Sequence, residues 1–411
     1  MSKRIAGILI IALIAWAATT LGFHYLLNAS HSRMLWDYYP LWRAGRWLLE
    51  GNDPYSDALT DQIQLESYGH LVQDQDPHTF AYPMPALILV LPLSLLPASV
   101  AQPIWLSCLL WGWVWSVVGF SHTLNPSARP STRAAVVIWS LLLHPTAWGM
   151  LLGQPAIAAT ALLMAALVAL RSEREALAGV ALAAAAIKPQ ISLLATLALL
   201  IWAAWQHRYR LIVWFAGTAV LLLAVSLALI PGWAAGFLYA VRRYADLMPF
   251  RSPIAVLASL CGESGAWLQA ALTAGFIILT GWSWKKDIRT GVVPIGAVGV
   301  SLVTTTLAVP RLSPINHIVL LVPLAAGLSE WWRRKGLCRL ASTVLGVLAV
   351  AAPWAIAPLT GNAVEGDSWQ YGVLVFVLPV LSLVVSTAES VKPARSRCRV
   401  GAGGKGGGSE K

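Results

Sequence analysis

The amino-acid sequence predicts an all-α polytopic membrane protein of about 12 or 13 transmembrane helices with a large first extracytoplasmic loop. Three observations carry this. Of 411 residues, 57% are apolar and 11% charged, and the mean hydropathy is +0.66. That is too little polar surface to cover a soluble globule. The apolar residues fall in long uninterrupted runs, and the basic residues fall between those runs.

The apolar runs are 5–27, 82–97, 99–120, 134–150, 154–170, 176–188, 190–206, 211–231, 265–284, 292–309, 314–331, 340–358 and 369–388. Several fall short of the ~20 residues of an upright span. Short helices are tolerated when buried in a bundle or lining a water-filled cavity. In the first run, "MSKRIAGILIIALIAWAATTLGF", Ala15-Trp16-Ala17 resembles a signal-peptide cleavage site. The run continues past that point and many spans follow, so an uncleaved first helix is the expectation.

The net charge of +11 does not indicate nucleic acid. Of the 29 basic residues, 21 sit in clusters: Lys3/Arg4, Arg129/Arg133, Arg171/Arg174, Arg208/Arg210, Lys285/Lys286/Arg289, Arg333/Arg334/Lys335/Arg339 and the tail from Lys392 to Lys411. The remaining segments carry 8 basic and 12 acidic residues. Cytoplasmic loops collect lysine and arginine in this way. The rule places residues 28–81 outside. It conflicts with two full spans between 82 and 120, which would put Arg129 and Arg133 outside. Either 82–97 does not cross or a boundary is misplaced; 12 spans with both termini inside is the preferred count.

One integral-membrane domain is therefore expected over 1–390, followed by a disordered, basic, glycine-rich cytoplasmic tail at 391–411. The four cysteines, Cys108, Cys261, Cys338 and Cys398, have no metal spacing, and only Cys261 falls in an outer loop. Small residues in "LAGVAL" and "GVALAAAAIKP" predict close helix packing. Tryptophans near segment ends (Trp36, Trp42, Trp47, Trp202, Trp205, Trp331, Trp332) predict interfacial belts.

The first outer loop opens with "WDYYPLWRAGRWLLEGNDPY". Pro40 suits the first position of a short helix and Gly51 its end. Arg43, Arg46 and Glu50 fall on one face, which predicts an interfacial helix with a narrow polar stripe and Asp37 just before its N-terminus. Arg242, Arg243 and Arg251 read as headgroup contacts, and His78 and His144 as structural. Topology places Asp37, Tyr82, Gln154, Lys188, Arg311 and His317 at the same outer level. A carboxylate among cations there suits group transfer from a lipid phosphate, with arginine and lysine on the phosphate and aspartate as base. Each residue has a blander reading. Lys188 can snorkel to headgroups, Gln154 can cap a helix before Pro155, and a lone histidine such as His317 is more often packed than catalytic.

These stretches resemble a known family. "WDYYPLWRAGRWLLEGNDPY", "YPMPALILVLPLSLLP", "LLGQPA", "AIKPQ" and "RLSPINHIVLLVP" follow the order seen in glycosyltransferase family 87, which includes polyprenol-phosphate-mannose-dependent α-mannosyltransferases. The resemblance runs from about 30 to 330. It implies a GT-C-type helical bundle with its active site at the outer face of the cell membrane. The implied reaction moves a hexose, read as mannose, from a polyprenyl-phosphate donor to a hydroxyl of an envelope glycolipid or glycan, with inversion. On the matching positions, Asp37 becomes the general base. Lys188 would hold the donor phosphate and His317 would bind substrate, with Arg311, Gln154, Arg43 and Tyr82 around them. The family tends to have an "HH"-bearing stretch where this chain has the single histidine of "SPINHIV". No cofactor and no essential metal are implied: Asp53 and Asp57 lack acidic partners at ligand spacing.

Two other classes compete. A transporter or lipid flippase requires buried mid-membrane charges and paired repeats with broken helices. A lipid-binding scaffold requires only that Asp37, Lys188 and His317 do not share one cavity. In every reading the chain has membrane lipids as neighbours and no nucleic-acid partner.

Overall fold

A computed structural model describes residues 3–29, 35–72, 78–247, 251–289, 291–309, 312–334, 336–356 and 377–384. Arg311, the predicted tail 391–411 and most of the run 369–388 lie outside the described residues.

The regular structure among the described residues is helical. The first helix, α1 (Lys3–Ala29), leads into the first loop with α2 (Tyr39–Leu49) and α3 (Asp57–Tyr68). Then follow α4 (Met84–Ser94), α5 (Ala98–Leu124), α6 (Pro130–Leu142), α7 (His144–Leu152), α8 (Pro155–Arg171) and α9 (Glu175–Ala184). The chain continues through α10 (Pro189–Trp205), α11 (Tyr209–Leu229), α12 (Trp233–Leu247), α13 (Pro253–Ser259), α14 (Gly265–Asp287) and α15 (Ile295–Ala308). Then come α16 (Leu321–Arg333), α17 (Leu337–Ile356) and a helical stretch at 377–384, and 3-10 turns occupy Ala185–Ile187, Gly262–Ser264 and Pro314–Leu320. The protein is an all-α polytopic membrane protein.

Length and burial sort the helices into two groups. Among the described residues, α1, α5, α11, α14 and α17 are long and apolar enough to cross a bilayer. Except for α5, they expose most of their apolar side chains, including Ile11, Val220, Ile278 and Val347. The shorter apolar helices include α8 and α15, which are buried nearly all round. A helix apolar on every face belongs inside a bundle. These two short helices are therefore its centre.

The structure accounts for the conflict at 82–97. With 11 residues, α4 is only about 16 Å long, against a hydrocarbon core of about 30 Å. Pro92 lies inside it, while α5, with 27 residues, is long and apolar enough to cross. A count without 82–97 is the one that the charge rule requires for Arg129 and Arg133.

Three expectations are corrected. The run 134–150 is not one straight span: α6 and α7 meet at 68° around Leu143. Pro145 lacks the N–H that would continue the helix and disfavours α geometry before it. Helix α2 begins at Tyr39 and is followed by Gly51 at φ +85°, close to expectation, but Tyr39 to Gly45 are buried against the bundle. It packs on α4, where a methyl on Gly45 would meet Ser94, so it does not simply float in the interface. Trp42 and Trp202 are buried rather than belt residues, and the Arg208 guanidinium lies 5.0 Å from the Trp202 ring. Trp205 and Trp332 are exposed.

Small residues do set a close crossing. A methyl on Gly179 of α9 would lie 2.5 Å from the Leu211 carbonyl oxygen of α11. Contacts tie several of the basic clusters to neighbouring helix ends. Arg208 pairs with Glu175 at 3.8 Å and donates to the Gly291 carbonyl at 3.2 Å. Arg333 donates to the Leu124 carbonyl at 2.9 Å.

Candidate functional site

A group of helix starts shares one local rule. Gln154, Lys188 and Ser313 each precede a proline, and proline disfavours helical geometry in the residue before it. Gln154 accordingly sits at φ −67°, ψ 123° ahead of α8, and Lys188 at φ −135°, ψ 76° ahead of α10. Their side chains are thrown off the helix axes at N-termini, where unpaired N–H groups and the helix dipole favour negative charge. Tyr82 precedes Pro83 in the same way at the start of α4.

The first loop docks beside these helix starts through its backbone. Asp37 N donates to the Leu152 carbonyl at 3.0 Å, and Leu35 N donates to Gln102 Oε1 at 2.5 Å. Trp105 Nε1 donates to the Gly153 carbonyl at 2.7 Å, and its ring stacks on Tyr38 at 5.0 Å. Gly153 has φ +67°, and a methyl there would lie 3.0 Å from both Leu35 Cδ1 and Tyr38 Cβ. Only glycine meets both the conformation and the approach.

Docked this way, Asp37 meets the two pre-proline residues. Gln154 Nε2 donates to Asp37 Oδ2 at 2.8 Å, and Lys188 Nζ donates to Gln154 Oε1 at 2.5 Å. Tyr82 Oη donates to the same oxygen at 3.5 Å, and Lys188 Nζ lies 5.9 Å from the centre of the Tyr82 ring. The amide is therefore interposed between carboxylate and ammonium. Lys188 and Gln154 are buried and Asp37 is half-buried. A buried ammonium is costly unless its donors are met. An amide oxygen, an aromatic face and a nearby carboxylate supply that here.

The other predicted residues are placed apart from this chain of bonds. His317 lies in the 3-10 turn Pro314–Leu320, which packs against α7, α8 and α15. It is buried, and its Nε2 has no hydrogen-bond partner among the described residues. Arg43 turns to its own loop, pairing with Glu66 at 3.3 Å and Glu50 at 3.9 Å. Tyr39 Oη donates to Glu66 at 2.7 Å, which, after burial, holds the Tyr39 phenol well above its ordinary pKa.

Several supporting residues escaped the sequence reading. His78 is more than a packed ring: Nε2 donates to the Trp36 carbonyl at 2.5 Å, Nδ1 meets Ser67 Oγ at 2.8 Å, and the ring stacks on Trp36 at 4.4 Å. It latches the residue beside Asp37. Tyr55 of "GNDPY" is buried, donates to the Tyr82 carbonyl at 2.9 Å and abuts Gly236 of α12, so that turn is also a strut. Arg243, read as a headgroup contact, forms an ion pair with Asp57. Gln102, which accepts from Leu35 N, is a polar residue next to Pro103 in an apolar helix, the kind of sequence signal that marks such a support.

No curated protein and no solved structure matches the chain. A family model described as Glycosyltransferase family 87 matches residues 80–313, more than half of the chain. The matched region carries Tyr82, Gln154 and Lys188, while Asp37, Arg43 and His317 lie beyond its ends. With that match the chain belongs to glycosyltransferase family 87, a glycosyltransferase that joins a sugar donor to an acceptor.

Proposed function

We propose that the enzyme moves a hexose, mannose in the first instance, from a polyprenyl-phosphate donor to a hydroxyl of an envelope glycolipid or glycan at the outer face of the cell membrane. The observation that carries this reading is the bonded series Asp37–Gln154–Lys188, which sets a carboxylate one amide away from a buried ammonium. Asp37 takes the proton of the acceptor hydroxyl as its oxygen attacks the anomeric carbon. The bond from that carbon to the phosphate oxygen breaks, and its electron pair leaves with the polyprenyl phosphate. Lys188 stabilises the charge that develops there. A single displacement inverts the anomeric configuration. Gln154 keeps base and cation from collapsing into a direct ion pair, which would blunt both. Tyr82, bonded to the same amide, and His317, from the neighbouring 3-10 turn, bind substrate.

The outer-face assignment rests on the basic clusters, which the positive-inside rule puts in the cytoplasm. It also suits the donor class, because a lipid-linked sugar needs no nucleotide outside the cell. The test is transfer from radiolabelled polyprenyl-phosphate mannose by membranes containing the protein, in vesicles sealed in each orientation. Label should reach an envelope lipid or glycan from the outer face only. Transfer from a nucleotide sugar, with none from the lipid donor, would overturn the donor assignment.

A further inference from the structure

A cleft of about 460 Å³ opens between the first loop and α12, lined by Gln64, Val72, Tyr239, Arg242, Arg243, Asp246 and Leu247. Tyr239, Arg242, Arg243 and Asp246 follow the i, i+3, i+4, i+7 spacing that puts them on one helix face. Two contacts hold that face against the loop. Gly236 lets α12 approach Tyr55 so closely that a methyl would lie 2.8 Å from Tyr55 Cβ, and Arg243 pairs with Asp57. Gln64 Oε1 accepts from Val72 N at 3.0 Å and fixes the facing wall.

The cleft is tied to the candidate site. Tyr55, seated on Gly236, donates to the Tyr82 carbonyl, and Tyr82 Oη reaches the Gln154 amide that bonds Asp37. We infer that this cleft binds the glycan part of the acceptor, a neutral sugar chain. The inference rests on the transferase reading and deepens it. An exposed tyrosine ring suits the C–H face of a pyranose, and arginine, carboxylate and amide groups match pairs of adjacent hydroxyls. Arg243 is already paired with Asp57, and Asp246 follows Arg242 one helical turn on, so this face carries a carboxylate for each arginine. That balance disfavours a polyanion, and the few apolar lining residues disfavour a lipid tail.

The test is calorimetric titration of the solubilised full chain with linear mannotriose, with linear glucotriose and with inorganic phosphate. A trisaccharide should bind the wild type, and Tyr239→Ala and Arg242→Gln should each weaken it at least tenfold. Both substituted residues are on the surface, so the fold is not at risk. Unchanged trisaccharide binding in both variants, or binding of phosphate alone, overturns the inference. A wild type that binds a trisaccharide in the variant-sensitive way but transfers no sugar in membranes leaves the cleft standing and removes the transferase reading instead.

Discussion

Gln154 Nε2 donates to Asp37 Oδ2 at 2.8 Å, joining two residues 117 positions apart. The same amide accepts from Lys188, so its removal strands a buried ammonium. Gln154→Ala should lower stability by about 1–3 kcal/mol, the usual cost of leaving a buried polar group unmet. Adding Lys188→Met should recover part of that loss, because the stranded charge goes with it. Thermal unfolding in detergent measures both. A double variant no more stable than Gln154→Ala would show that Lys188 does not depend on this amide.

Asp37→Asn keeps the shape of the side chain and an oxygen able to accept from Gln154. It removes the capacity to take a proton. Sugar transfer should fall about 10²–10⁴-fold, the usual contribution of a general base, with folding and donor binding kept. Full transfer by a stably folded Asp37→Asn protein would remove Asp37 as the base.

Lys188→Met separates stability from activity. Replacing a buried charge by an apolar side chain of similar length is often neutral or stabilising. A lysine that holds the donor phosphate should nonetheless raise the donor KM more than tenfold when lost. Steady-state kinetics beside an unfolding curve give both readings, and an unchanged donor KM together with an unchanged kcat would reduce Lys188 to a packing element.

Helix α9 tolerates no side chain where it crosses α11. Gly179→Ala places a methyl 2.5 Å from the Leu211 carbonyl oxygen, and backbone cannot step aside as a side chain can. Overpacking of this kind costs about 1–3 kcal/mol. Gly217→Ala, on α11 with nothing within 4 Å, is the control and should leave the unfolding temperature unchanged or slightly raised. Equal behaviour of the two would mean the crossing is looser than described.

Much of this fold could be read from the chain because spans, charge clusters and X-Pro helix starts are local signals. Asp37, Gln154 and Lys188 could be put at one level by counting crossings. That the Gln154 amide would stand between the other two could not, since it depends on how three helix starts converge in space. The 68° bend at Leu143 hides inside an unbroken apolar run, because proline acts on backbone geometry without interrupting hydropathy. The partner of Arg43, Glu66, lies 23 residues on, in α3, and no local signal in the sequence pairs the two. His78 is structural, as its sequence reading has it, but its partners, the Trp36 carbonyl and Ser67, are brought to it only by the folding of the first loop.

The docking of the first loop turns on Gly153, and two glycines distinguish strain from crowding there. Gly51 has φ +85° and nothing within 4 Å of an added methyl, so Gly51→Ala pays only for left-handed backbone, about 1–2 kcal/mol. Gly153, at φ +67°, meets that same strain, and its methyl would also lie 3.0 Å from Leu35 Cδ1 and Tyr38 Cβ. Those two residues flank the Trp36–Asp37 pair, so relief of the crowding must push the loop off the Leu152 carbonyl that anchors Asp37 N. Gly153→Ala should therefore cost more stability than Gly51→Ala and should lower kcat at least tenfold, because a carboxylate displaced by about 1 Å loses its alignment with the reacting hydroxyl. Gly51→Ala should leave kcat near wild type. Transfer assays on both variants at equal folded protein decide it, and a Gly153→Ala enzyme with normal kcat would mean that the loop holds Asp37 without this contact.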